Sequence, residues 1–425
     1  MIDPLILARG VHIAATVLAG GAVCFLVLVA EPAARRARAA RPVDLVPLRR
    51  RLTLAVWTAL AVAILSGVGW LVLLAADLYG APVLEVCLNG GVWSVLTETR
   101  FGQVAGARLA LALLLGLLIL WPATRLPQLA AAALLIALLA LIGHAGATPG
   151  PAGRVHLASD TVHLLAAGAW VGGLPALALL LSHARRAANP PWNAVTTVAT
   201  NRFSLLGIAC VGALLASGSI NSWNLLAGPR DLVATDFGRL VLLKIGLFAA
   251  MVVIAAVNRF HLTPRLAAPT ALRALQRNSL AEIGLGLCVL LLVGALGTMA
   301  PTAHEHVHAP SAEIPPDAAF VHIHSSEAMA EVTIAPGHAG PARASIRLTR
   351  EDSSIFAAAE VMLVLTPQAQ AGAPPLSRAA TRLSDGTWQV DGLEIGQPGI
   401  WIVKLTVTPG TGAPFVLDAP VVIDR

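Results

Sequence analysis

The stretch His156–Leu181, HLASDTVHLLAAGAWVGGLPALALLL, carries its polar groups in its first third. His156, Asp160 and His163 are spaced i, i+4 and i+7, which puts them within roughly 60° of arc on one helix face. Imidazoles with a carboxylate form a ligand set for Cu(II), Zn(II), Ni(II) or Fe. An ionisable triplet in an apolar helix is costly in lipid unless it faces a cavity, a partner or an ion. The competing reading is structural: such residues satisfy helix ends and pair with Arg9, Arg108 or Lys244. Those three cations outnumber Asp160, which is awkward for a cation route, although long basic side chains near a span end can snorkel into headgroups.

Two other sets could do chemistry. Cys24, Cys210 and Cys288 fall at mid-depth or beyond in apolar runs, near Met251 in depth, and soft sulfur there would suit a Cu(I) relay. The plain alternative is that single membrane cysteines are small apolar residues. His304, His306 and His308 (HEHVH), with His322 and His324 (HIH) just beyond, alternate along an extended chain and share one side of it. They predict metal capture that weakens below about pH 6, because only neutral imidazole binds metal. The alternative there is a solvated tether.

The elements that must position these residues follow from composition. Of 425 residues 56% are apolar and 12% charged, about half the charge of a soluble protein. Apolar runs of roughly 20 residues recur, and eight spans are predicted: Leu5–Val29, Leu52–Ala76, Gly102–Trp121, Leu126–His144, His156–Leu181, Phe203–Leu225, Phe237–Val257 and Ser279–Met299. The first starts without a basic leader or a small-residue cleavage site, which predicts an uncleaved helix. The net charge of +6 sits in short loops and points to topology rather than nucleic acid. Arg35, Arg36, Arg38, Arg41, Arg49, Arg50, Arg51, Arg125, Arg185, Arg186, Arg202, Arg259, Arg265, Arg273 and Arg277 fall in alternate loops. The positive-inside rule therefore places both termini outside the cytoplasm. On that topology His12, His144, His156, Asp160 and His163 share the outer leaflet, while Asp77–Phe101 is an outer segment capping the bundle.

From Pro301 the texture changes. Residues 301–316 read as a His/Pro-rich linker, and 317–425 as about seven short alternating runs: Phe320–His324, Ala330–Ile334, Ala342–Thr349, Glu360–Leu365, Trp388–Val390, Ile400–Val407 and Phe415–Ile423. The predicted fold class is an all-α eight-helix membrane bundle (1–300) followed by a small all-β, immunoglobulin-like sandwich (317–425) outside the membrane.

Several segments in order resemble the CopD family of bacterial copper-resistance and copper-transport membrane proteins. They are RGVHIAATVLAGG, GHAGATPG, HLLAAGAWVGGL, NRFSLLGIACVGALLASGSINSW, FGRLVLLKIGLFAAMVVIAAVNRFHLTPRL and NSLAEIGLGLCVLLLVGALGTMAPTAH. The resemblance covers Leu5–His304 and is most specific over Asn201–Met299. It implies an eight-helix plasma-membrane protein associated with moving copper inward, and a periplasmic copper chaperone as partner. It carries over His12, His144, His156 and His163 as site residues, with Asp160 added from helix geometry. The tail is similar to YtkA-like or CopC-like sandwiches, without a free N-terminal histidine or a Met-rich loop.

The expectation is therefore a copper transporter of the bacterial inner membrane, not an enzyme, with copper and lipid as partners and no nucleic acid. No GxxxxGK[ST] or DKTG-type motif supplies ATP chemistry. Two rivals stand beside it. A haem-b redox protein needs two histidines facing each other at equal depth, such as His12 or His144 with His163. Its inner-leaflet ligands would have to be His183 and His261, at span ends. A copper-sensing or chaperone-docking scaffold would move no ions.

Overall fold

The computed structural model describes residues 3–38, 46–121, 123–147, 150–187, 190–299, 301, 315, 317–325, 327–350, 354–367 and 375–424. The chain forms two compact units, Met1–His306 and Val307–Arg425.

In the first unit, among the described residues, eight helices are long and apolar enough to cross a membrane. They are α1 (Pro4–Ala37), α2 (Val46–Tyr79), α3 (Arg100–Ile119), α4 (Arg125–Ile142), α5 (Ala152–Ala187), α6 (Trp192–Leu225), α7 (Asp236–Arg265) and α8 (Pro269–Leu296). Every predicted span is present, but several helices run well past their apolar cores: α8 opens at Pro269 rather than Ser279, and α6 at Trp192 rather than Phe203. Backbone hydrogen bonding continues through the arginine-bearing turns, which periodicity of apolar residues does not register. The large exposed side chains Leu65, Trp223 and Val253 lie on these spans, as the lipid-facing surface of a bundle requires.

α1 is the axis of the bundle and packs on α2, α4, α5 and α8. Close approach depends on small residues: a Cβ built on Gly21 would sit 2.1 Å from the carbonyl carbon of Gly172 in α5. Gly172 and Gly173 also break α5, whose helical pattern stops at Trp170 and resumes at Leu174, beside Pro175 and its missing N–H. The polar first third of α5 thus lies in the helical piece before this break. The connection after α2 folds into two short helices, Val83–Leu88 and Gly91–Glu98, whose Val86 and Val95 cover Leu71 and Ala75.

The arginine-rich loops gather at one end. Glu31 holds Arg49 at 3.0 Å and Arg125 at 2.9 Å, and Arg202 donates to the Leu28 carbonyl at 2.9 Å. At the other end Arg9 donates to the Gly297 carbonyl, and Arg100 to that of Gly146 at 2.6 Å.

The second unit is a two-sheet sandwich. Its strands are β1 (Ala319–His324), β2 (Met329–Ala335), β3 (Gly340–Thr349), β4 (Ala358–Pro367), β5 (Leu376–Ala379), β6 (Thr381–Arg382), β7 (Trp388–Ile395), β8 (Gly399–Pro409) and β9 (Phe415–Ile423). One sheet runs β1-β2-β3-β7-β6 and the other β5-β4-β8-β9, with all neighbours antiparallel. Alternate residues fill the core, as in Trp401, Val403, Leu405 and Val407 of β8. Seven runs were expected. The two additional strands, β5 and β6, are short and mostly exposed, so no alternation marks them.

Candidate functional site

The candidate residues of the bundle separate into two clusters. The first surrounds His12 on α1. Its Nδ1–H donates to the Ala63 carbonyl of α2 at 2.8 Å. A carbonyl only accepts, so Nε2 holds the lone pair, and Arg108 of α3 donates to it at 2.8 Å. Arg108 is buried, donates also to Thr16 Oγ1 at 3.2 Å, and caps the Leu135 carbonyl of α4. The His12 ring stands 5.8 Å from Trp70, over which Arg9 stacks at 5.3 Å, and Trp70 meets Phe101 edge-on. A Cβ on Gly67 would lie 2.9 Å from the His12 ring, so glycine leaves room for the imidazole. Both ring nitrogens are committed. His12 is a keystone for a buried guanidinium and offers neither a metal nor a haem iron a free lone pair.

The second cluster lies between α5 and α6, facing α7. Ser159, Asp160 and His163 project from the first helical piece of α5. Ser217 donates its hydroxyl proton to its own helix at the Ala213 carbonyl, 2.6 Å away. Its oxygen therefore accepts from His163 Nδ1 at 3.0 Å, and His163 Nε2 keeps its lone pair. Asp160 Oδ1 accepts from Asn221 Nδ2 at 3.0 Å, while Asn221 Oδ1 is buried without a hydrogen-bond partner among the described residues. Ser159 fastens the seam by donating to the Ser217 carbonyl at 3.1 Å. Lys244 of α7 is within electrostatic reach of Asp160 and His163 but closes no ion pair with Asp160 among the described residues. This seam presents an imidazole lone pair, a carboxylate and an amide oxygen, with a cation set back from them.

The remaining expected residues are distributed unevenly. His156 is buried on α5, one turn before Asp160. His144 opens the short helix His144–Ala147, directly after Gly143, whose built Cβ would lie 3.9 Å from Asp160 Oδ2. The end of α4 thus abuts the α5 seam. Cys24 and Cys210 are buried and within electrostatic reach of each other, whereas Cys288 is exposed on α8 and does not join them. His304, His306 and His308 lie outside the described residues. Among the described residues, no group of three or more His, Cys, Asp or Glu side chains converges.

In the tail, Val321 and Ile323 fill the core, so His322 points out of the sandwich. There it meets Glu331, its register partner on β2, at 3.7 Å. Burial pushes the Glu331 carboxyl up, against the pull of Arg347 across on β3. His324 is the last residue of β1.

Sequence reasoning passed over the partners Ser217 and Asn221, and a third polar group around Asn258 and Glu282. The available signal was a lone carboxylate, Glu282, inside the eighth apolar run.

Comparison with known proteins adds the following. The family model described as Copper resistance protein D matches residues 197–296, and that of the Copper resistance protein D-like N-terminal domain matches residues 1–154. The chain is 31% identical over 218 residues to inner membrane protein YebZ of Escherichia coli, covering 49% of this chain and 72% of YebZ. It is 30% identical over 175 residues to copper resistance protein D of Pseudomonas syringae pv. tomato, covering 39% of this chain and 56% of that protein. Copper transport protein CutJ of Bacillus subtilis is 27% identical over 258 residues, 59% of this chain and 44% of CutJ. No solved structure matches.

Proposed function

The chain belongs to the copper resistance protein D family, and from that premise we propose that it carries copper through the bundle of a bacterial inner membrane. Copper enters from the periplasmic side, where the histidine tract at His304, His306 and His308 and the sandwich collect it. The α5–α6 seam is the first ligand step inside the bundle. His163 supplies Nε2, Asp160 the compensating carboxylate, and His144 and His156 flank the mouth. Lys244 keeps residence short, because a nearby fixed cation disfavours a second positive charge. The family names point to copper resistance and transport rather than to enzymes.

The observation that carries this reading is the hydrogen bond from His163 to Ser217. It fixes the tautomer and leaves a lone pair on the other ring nitrogen, the arrangement in which a neighbour orients a histidine ligand. Copper content of the purified full-length protein tests it: His163→Ala should lower bound copper, while Arg277→Ala should not. A reduced-minus-oxidised optical spectrum should show no haem bands. Reporter fusions should read cytoplasmic after Ala39 and periplasmic after Ala309. A cytoplasmic signal from the latter would remove the tail from copper capture.

A further inference from the structure

Beyond the histidine seam, the bundle has a second polar interior. Thr200 lies 17 residues before Ser217 on α6, about 25 Å along the helix axis. There a cavity of about 200 Å³ opens between α5, α6, α7 and α8, lined by Trp170, Phe203, Thr200, Asn258 and Glu282 among others. Glu282 sits mid-way along α8 and is 2% exposed. Its carboxylate accepts one hydrogen bond, from Asn258 Nδ2 at 2.8 Å, and makes no ion pair among the described residues. Asn258 Oδ1 accepts from Asn278 at 2.8 Å and retains a second lone pair. Among the described residues, Thr200 Oγ1, on the cavity wall and 3% exposed, has no hydrogen-bond partner, nor has Ser279 Oγ, one turn before Glu282 on α8.

The backbone adds to this. α7 leaves α-helical pairing at Asn258 and runs as a π-helix to Leu262. Such bulges accompany functional sites, and interrupted membrane helices commonly place coupling ions. The other ionisable residue lining the cavity among those described is Arg259. Its guanidinium donates to Ser204 at 2.7 Å and stacks on Phe260, and it forms no pair with Glu282.

We propose that Glu282, Asn258 and Thr200 frame a binding site for a hard monovalent cation of the alkali-metal class. Every donor is oxygen, with no thiolate, thioether or imidazole among them, which disfavours copper and favours a hard ion. One carboxylate with neutral donors balances a single positive charge, whereas a divalent ion in an apolar interior needs more. The cavity has room for the ion and for waters to complete its shell. If copper movement through the seam stands, this ion is the one whose gradient drives it. The binding claim does not depend on that reading.

The test uses the purified full-length protein without copper. Its Tm is measured in NaCl or KCl against choline chloride at equal ionic strength. An alkali cation should raise Tm with concentration, by selective binding to the folded state. The shift should be lost in Glu282→Gln and in the volume-matched Thr200→Val, and kept in His163→Ala. Glu282→Gln removes the charge at little cost in shape, and Thr200→Val gives a second reading if the first variant is unstable. Modification of Glu282 by a hydrophobic carbodiimide, mapped by mass spectrometry, should be slowed by the cation and not by choline. Equal Tm in all salts overturns the proposal, as does a cation shift that survives both variants. Labelling governed by pH alone assigns the carboxyl to a proton and also overturns it. Loss of copper uptake in His163→Ala with the cation shift intact separates this site from the copper reading.

Discussion

His12 and His163 are both imidazoles on inward faces of membrane helices, and their ring nitrogens are committed in opposite ways. His12 donates through Nδ1 to Ala63 and accepts through Nε2 from Arg108, so it is spent on holding a buried cation. His163 donates through Nδ1 to Ser217 and leaves Nε2 uncommitted, on the helix that also carries Asp160. Residue type is the same in both, and what differs is the partner of the second nitrogen. That partner decides whether a membrane histidine is scaffold or ligand.

The largest expected effect breaks this comparison if it fails. His163→Ala should reduce copper accumulation to background at wild-type expression, since the open lone pair is lost with little packing. His12→Ala should act mainly on stability. It strips Arg108 of an acceptor and costs ~1.5–3 kcal/mol, the range for hydrogen bonds to charged groups, seen as a lower Tm in detergent. If His12→Ala instead abolished copper accumulation at unchanged Tm, the assignment of scaffold and ligand would be reversed. Asp160→Asn should weaken copper binding by roughly 10–100-fold, as for an outer-shell partner, and Asn221→Ala, which frees the carboxylate of its donor, should do less. Titration of purified protein with copper ranks the two.

The smallest effects belong to the sandwich. Asp391 is held below the usual carboxylate range by Gln389 and then Arg343. A depressed folded-state value contributes stability above the unfolded value and loses it as pH falls through the folded one. Asp391→Asn should therefore lower the Tm of the tail slightly at pH 7. Glu331 is raised by burial, so its ionised form is the penalised one, and Glu331→Gln should raise Tm at pH 7. At strongly acid pH, below the depressed folded value of Asp391 as well as the ordinary carboxylate values, both differences should vanish. Melting curves of residues 317–425 at the two pH values would decide, and shifts of the same sign would contradict the two assignments.

The eight spans were legible because a bilayer demands long apolar runs, and the sandwich because its core strands alternate. Helix ends such as Pro269 were not, since arginine-bearing turns continue a helix without changing hydropathy. The α5 stripe was legible from spacing alone. Its partition from His12 was not, because that rests on Arg108 and Ser217, which are distant in sequence and ordinary in type. Glu282 was passed over, its one signal being a charge in an apolar run, and its cavity is assembled from four helices. The tail tract His304, His306 and His308 stays a sequence-based proposal, testable by replacing all three with alanine and measuring Cu(II) affinity.

The central claim is that the α5–α6 seam, rather than His12, is where copper is held in the bundle. Copper accumulation in cells producing the His163→Ala, Asp160→Asn double variant at wild-type expression tests it most directly. Accumulation should fall to that of cells lacking the protein. Accumulation equal to wild type would contradict the site and the route built on it.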